Sequence, residues 1–232
     1  MMERINPFES LEVAQGYDAW FDTPLGRTVD VLEKDLLYRM ARPLPGERVL
    51  DVGAGTGHFA CDLARRGLRV TACEPSAAML AVGRVKGCDV EWHQAPAERL
   101  PFDEGAFDLV FCVTALEFVE DVDAALREMV RVLAPGGRLV VGTLNAKGPW
   151  GRFYAQQARQ EDSPFRHARF FTAKRLVKTL SPYGRVRWNS AVHLPPAGRH
   201  LEAALANAQA IEHRGRIRHR ELGALLVGRI DV

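Results

Sequence analysis

Short apolar runs alternate with amphipathic stretches through the middle of the chain. RVLDV (48–52), LRVTACE (68–74), CDVEWHQ (88–94), FDLVFCV (107–113) and RLVVGTL (138–144) each predict a strand. FDLVFCV is apolar enough to be buried on both faces. His58 to Arg65, Ser76 to Val85 and Val122 to Leu133 predict the intervening helices. Gly67 closes the first of these, and Pro135-Gly136-Gly137 breaks the last. Such alternation predicts βαβ units and a mostly parallel sheet. Upstream, Thr23-Pro24 predicts a helix start, with Val29, Leu32, Leu36 and Met40 at helical spacing. Pro43 and Pro45-Gly46 predict its end. After residue 144 the regularity lapses. Residues 145–171 are rich in Gly, Gln, Arg and aromatics without a clear period, as lids and binding segments often are. Thr172 to Leu180 and Leu201 to Glu212 predict helices, and RVRWNSAV (185–192) and ELGALLVGRI (221–230) predict two last strands.

The stretch VLDVGAGTGHFA (49–60) is unusual within this pattern. It puts Gly53, Gly55 and Gly57 where the first strand gives way to a helix. In open α/β sheets, ligands lie beyond the carboxyl ends of the strands. Glycine there permits positive φ and removes the Cβ that would hold a ligand away from the backbone. The next helix points its free N–H groups at the same crevice. At the end of the second strand stands Glu74, an acceptor able to take both hydroxyls of a ribose. A glycine turn with an acid about twenty residues on follows the logic of a nucleoside site. A dinucleotide site uses GxGxxG, whereas the spacing here is GxGxG, with His58 where the third glycine would stand.

Composition adds bounds. A chain of 232 residues, 47% hydrophobic and 26% charged, suits one α/β domain. A net charge of +2 argues neither for nor against a nucleic-acid partner, and none is favoured. Cys61, Cys73, Cys88 and Cys112 form no CxxC pair and predict buried free thiols in a reducing compartment. No apolar run approaches the ~20 residues that span a bilayer, and no basic start precedes an apolar run. The default expectation is a cytoplasmic protein with no metal site.

VLDVGAGTG, Glu74 in ACEPS, AERLPF (97–102), FDLVFC (107–112) and LAPGGRLVV (133–141) resemble, in order, the motifs of class I S-adenosylmethionine-dependent methyltransferases. The closest branch is the methyltransferase type 11 group, similar to the ubiquinone/menaquinone methyltransferases. The resemblance is strong over residues ~47–144 and looser elsewhere. It implies a Rossmann-like seven-stranded, mostly parallel sheet with helices on both faces and an antiparallel last strand. The implied organisation is one domain, 1–232. Residues 1–46 form an N-terminal helical cap and 47–144 the cofactor core. Residues 145–171 form an insertion after the fifth strand, and 172–232 complete the sheet.

The resemblance also implies S-adenosyl-L-methionine as cofactor and S-adenosyl-L-homocysteine as product. Gly53, Ala54 and Gly55 would pass under the methionine portion, with Asp51 and Gly57 shaping the turn. Glu74 would hold the ribose, with Pro75, Ser76 and Met79 lining the adenosine. Ala97 and Glu98 would flank the adenine. Many relatives place an acid before that alanine; this chain has Pro96, so Glu98 or a backbone carbonyl takes over the adenine contact. Thr114, Ala115 and Leu116 would face the methionine end, and Tyr17 would close an N-terminal segment over the cofactor. Bland readings stand beside these. Asp51 alone reads as a turn cap, and Tyr17, Trp20 and Phe21 read as helix packing.

The implied activity is methyl transfer to O, N or C of a small-molecule acceptor. A non-catalytic cofactor-binding module and an NAD(P)-dependent oxidoreductase are the alternatives. The sequence designates no catalytic residue. A base is needed only for a weakly acidic acceptor, and His93, His167, His193, Glu117 and Tyr154 are the available groups. Trp150, Phe153, Tyr154, Phe165, Phe170 and Phe171 make the insertion aromatic and point to an apolar or aromatic acceptor; packing onto the sheet is the alternative. HARFF (167–171) reads as an amphipathic helix entry, with Arg169 placed to meet an acidic substrate group. RGRIRHR (214–220) reads as a solvated loop or strand edge rather than a phosphate or RNA reader.

Overall fold

The structure, a computed structural model, describes residues 7–161 and 163–232. Two short helical pieces lead in: α1 (Leu11–Tyr17) and a single 3-10 turn (Asp18–Asp22). Helix α2 (Pro24–Ala41) follows, with Thr23 accepting from the Gly26 N–H at its start and Arg42 left-handed at its end. The core then alternates as expected: β1 (Arg48–Val52), α3 (His58–Arg65), β2 (Arg69–Cys73), α4 (Ala77–Arg84), β3 (Val90–His93), β4 (Phe107–Val113), α5 (Val122–Arg131) and β5 (Leu133–Leu144). Helix α6 (Gly148–Gln157) and α7 (Ala173–Leu180) precede β6 (Arg187–Ala191), and α8 (Leu201–Ala206) and α9 (Ala208–Arg218) precede β7 (Leu225–Asp231).

The seven strands form one sheet in the order β3-β2-β1-β4-β5-β7-β6. Strands β1 to β5 pair in parallel, and β7 runs antiparallel to both β5 and β6. This is the Rossmann-like arrangement with an antiparallel last strand. Alternation along each strand divides the core in two. Val49, Leu109, Phe111 and Val113 face α2, α3 and the 145–171 insertion, while Leu50, Val52, Val110 and Cys112 face α5 and α7. Strand order reverses between β1 and β4, so the crevice above their carboxyl ends is where a ligand has room. No helix among the described residues is long and apolar enough to cross a membrane.

Five sequence expectations need correction. Residues 145–171 are not aperiodic: they hold α6 and a 3-10 turn, Pro164–His167. The expected helix from Leu201 to Glu212 is two, α8 and α9, interrupted at Asn207. RGRIRHR lies mostly within α9 instead of a loop, and its Arg216 ion-pairs Asp35 at 2.6 Å and Glu212 at 2.8 Å. Cys61 and Cys88 are joined in a disulfide, their Cα atoms 5.4 Å apart, where free thiols were expected; Cys73 and Cys112 are free and buried. The fifth strand is also displaced: β5 begins at Leu133 instead of Arg138, with the Pro135-Gly136-Gly137 step absorbed as a register shift opposite β4.

Candidate active site

The cleft above β1 and β4 encloses about 680 Å³, within the ~300–1,000 Å³ typical of ligand sites. Its floor is the turn after β1. Gly53 has φ +71° and sits so close to Ala115 that a Cβ would collide with that methyl. Gly55 has φ +56° and nothing within 4 Å of where a Cβ would be. The first glycine lets two loops close, and the second leaves the backbone bare toward the cleft. Gly53 and Ala54 donate their N–H groups to the Cys73 carbonyl at 2.8 and 3.2 Å, tying this turn to the end of β2.

Glu74 continues from β2 into the cleft wall. Its carboxylate accepts from the Gly55 N–H and the Ser76 N–H, each at 2.9 Å. Burial raises its pKa against those two hydrogen bonds. Each carboxylate oxygen keeps acceptor capacity beyond its one N–H. Asp51 is buried beneath it, and its Oδ2 has no hydrogen-bond partner among the described residues. Burial, followed by the charge of Glu74, pushes Asp51 up to about 7.

The remaining sequence-predicted residues divide plainly. Pro75, Met79, Ala97 and Glu98 line one end of the cleft, and Thr114, Ala115 and Tyr17 line the middle. Thr114 is held left-handed at φ 52°, a strained conformation for a threonine of the kind found at binding sites. Tyr17 hydrogen-bonds the Thr114 side chain, and burial pushes its phenol up to about 12. Glu98 Oε1 accepts from the Glu120 and Asp121 N–H groups at 3.0 and 3.2 Å, bracing the start of α5. Three predicted residues do not line the cleft. Gly57 caps α3, Ser76 caps α4 and donates to the Phe8 carbonyl at 2.7 Å, and Leu116 is fully buried in the core. They shape the site without facing it.

The N-terminal segment is fastened across the cleft rather than merely packed nearby. Asp18 accepts from the Thr56 hydroxyl at 2.7 Å and ion-pairs Lys86 at 2.5 Å. Phe8 packs edge-on against Tyr17 and Phe118. Phe21 stacks on His58, centroids 3.8 Å apart, and His58 Nε2 meets Asp30 at 2.6 Å.

The opposite end of the cleft belongs to the insertion. Trp150, Phe153, Tyr154 and Phe165 line it. The Trp150 indole donates to the Leu194 carbonyl at 2.7 Å, fixing α6 against the β6–α8 connection. Phe170 stacks behind Tyr154, centroids 5.5 Å apart, and Phe171 is buried beneath the Arg175 guanidinium. Arg169 donates its guanidinium to the Val119 and Glu120 carbonyls, so the expectation that it meets an acidic substrate group is replaced by a bracing role.

Of the five available bases, His167 and Tyr154 reach the cleft. His93 pairs with Glu91 at 2.7 Å on the sheet edge. His193 lies in a buried pair with Glu212 at 3.1 Å. Glu117 is fully buried, accepting from the Leu144 N–H, and burial pushes it up to about 7. Sequence reasoning missed Glu33, which projects from α2 into the cleft. The signal was present: Glu33 is one helical turn past Val29 on the apolar stripe of α2.

The orphaned Asp51 oxygen and the bare backbone at Gly55 fit a ligand that carries positive charge and lies against the turn, as a sulfonium nucleoside with an amino-acid tail does. Comparison with known proteins agrees. The methyltransferase domain model matches residues 50–141. An uncharacterized protein of Mycobacterium tuberculosis is 37% identical over 202 residues, covering 85% of this chain and 68% of the relative. A demethylmenaquinone methyltransferase of Beutenbergia cavernae is 41% identical over 149 residues, 62% of this chain and 59% of that protein. Among solved structures, an S-adenosylmethionine-dependent methyltransferase from Thermotoga maritima, described as a possible histamine N-methyltransferase, superposes with TM-score 0.72 at 25% identity, covering 95% of this chain and 97% of that one.

Fold and site thus define a cofactor-binding α/β transferase. The chain belongs to the class I S-adenosylmethionine-dependent methyltransferases, in the type 11 group. S-adenosylmethionine is its cofactor.

Proposed function

We propose that this methyltransferase acts on a small, apolar or aromatic acceptor held between the N-terminal cap (1–46) and the 145–171 insertion. The observation that carries the reading is one continuous cleft, running from the Gly53–Gly55 turn to the rings of Trp150, Phe153, Tyr154 and Phe165. The relatives named as demethylmenaquinone methyltransferases support a ring-bearing acceptor. In this reading Glu74 accepts from the ribose hydroxyls, Met79 and Ala97 pack the adenine, and Asp51 faces the cationic methionine end. Pro75 and Glu98 line the adenosine end, and Gly57, Ser76 and Leu116 act through the turns they build.

The bound cofactor supplies an electrophilic methyl on a sulfonium that leaves as a thioether. The protein's part is placement. Tyr17, Phe8 and Phe118 cover the cleft from one side and the insertion from the other, excluding water and limiting the acceptor's approach. Orientation of that kind is worth ~7–11 kcal/mol of barrier. His167 and Tyr154 are placed to hold or move an acceptor proton.

The test is release of S-adenosylhomocysteine across matched acceptors. Aromatic and apolar compounds are expected to turn over. A preference for carboxylated or phosphorylated acceptors would contradict the reading, because no Lys or Arg lines the cleft among the described residues.

A further inference from the structure

Building on that reading of the cleft, we propose that the acceptor carries a basic nitrogen and that Glu33 is the residue that anchors it. Asp51 and Glu74 both stand at the glycine turn, where a cationic cofactor accounts for them. Glu33 stands elsewhere. It projects from α2, one turn past Val29, and its partly exposed carboxylate opens into the cleft. No hydrogen bond or ion pair reaches it among the described residues. Its nearest charged neighbours on α2 are committed to other partners: Lys34 and Asp30 pair at 2.8 Å, and Asp30 also holds His58.

Glu33 lies between the two halves of the site. It is within electrostatic reach of Tyr17, which touches Thr114 at the cofactor end, and of Tyr154, which belongs to the acceptor end. From α9, Glu212 acts on Glu33 as a like charge although it is itself paired with Arg216 and His193, and no Lys or Arg lines the cleft to pair with Glu33. A carboxylate in apolar surroundings is costly unless paired. Burial, with the charges of Asp30 and Glu212, pushes Glu33 up to about 8 against the attraction of Lys34. A protonated amine removes that cost, and the rings of Tyr17 and Tyr154, both within electrostatic reach of Glu33, offer cation–π faces in the same cleft.

The pair also answers what a nitrogen nucleophile needs. An ammonium has no free electron pair. Transfer of one proton from the nitrogen to a Glu33 carboxylate oxygen leaves a neutral amine with its pair free, and a neutral carboxylic acid. Two opposite charges become none, which is the direction an apolar cleft favours. Neutral acceptors of the same shape gain nothing from Glu33, and anionic ones are repelled.

The test is calorimetric and separates the two readings. Wild type and Glu33→Gln are first loaded with S-adenosylhomocysteine, then titrated with benzylamine, 2-phenylethylamine and tryptamine, and with the matching alcohols. Loading of both proteins with similar affinity is expected; failure of the wild type to load strikes the cofactor site itself and the acceptor proposal with it. At least one amine is expected to bind the wild type about tenfold or more tightly than its alcohol, as a charge-assisted pair should. Glu33→Gln is expected to erase that preference while leaving the alcohol's affinity nearly unchanged. Absence of amine binding, no preference over the alcohols, or a preference that survives Glu33→Gln overturns the proposal. So does a Glu33→Gln variant whose main loss is in cofactor affinity, because that places Glu33 in the cofactor site instead.

Discussion

In the proposed reading, Asp51 is the single residue whose charge state responds to the cofactor. Burial and the charge of Glu74 push it up to about 7, so near that pH it is partly protonated. A sulfonium and an ammonium arriving beside it favour the ionised form. Binding at pH 7 is therefore expected to release a fraction of a proton, read as a dependence of the apparent binding enthalpy on buffer ionisation enthalpy. Asp51→Asn should abolish that release. Release unchanged in the variant would assign the proton to another group. The glycines and Glu74 were legible in the sequence because their chemistry is local: a turn that needs positive φ and an acid at the next strand end. Glu33 was not singled out, because a lone acid on a helix reads as solvated until the helix's packing is known. The cleft position of Glu98 was legible, whereas the use of its Oε1 on two backbone N–H groups was not.

At the scale of elements, the sequence revealed strands better than their additions. The five core strands each carry their own apolar pattern, and all five form near their expected places, β5 starting earlier at Leu133. The helices of the insertion and the C-terminal part depend on distant partners. Helix α6 contains Gly148, Pro149 and Gly151, a poor helical composition, yet Gly151 sits where a Cβ would meet the Ala146 carbonyl. Its docking rests on Trp150 reaching Leu194 and on Asn145 donating to the Glu221 and Gly223 carbonyls. None of these contacts is local in sequence. The Cys61–Cys88 bond is the same case: its ends are 27 residues apart, and only the packing of α3 beside the approach to β3 brings them together. A cross-link of that span is worth about 3.5 kcal/mol, or roughly 7–14 °C in Tm for a chain of this size. Cys88→Ser is expected to lower Tm by that order in scanning calorimetry without loss of fold. An unchanged Tm would show that the bond adds no stability.

Over the whole molecule, the buried acids give the unliganded protein a distinctive pH dependence. Burial pushes Glu33 up to about 8, and Asp51 and Glu117 up to about 7. The unfolded chain ionises the same groups near pH 4. Between pH 5 and 8 the folded state therefore holds more protons than the unfolded state, and stability falls as pH rises. Carboxylates whose pKa is lowered by partners, such as Asp30 beside His58 and Lys34, or Glu212 beside His193 and Arg216, are already ionised in both states over that range. Thermal unfolding is expected to show Tm declining from pH 5 to 8, and the double variant Asp51→Asn with Glu33→Gln should flatten that decline. A Tm that holds level or rises would contradict this account of the cleft's charges. The same imbalance explains why a cationic cofactor suits this fold: the cleft presents more negative charge than its own residues neutralise.

The most direct test of the account is calorimetric titration of wild type and Glu74→Ala with S-adenosylmethionine and S-adenosylhomocysteine. The account predicts that wild type binds both, and that the variant, still folded by circular dichroism, binds neither or does so far more weakly. Equal binding by the two proteins would remove Glu74 from the ribose. A folded wild type that binds neither ligand would contradict the cofactor site as a whole.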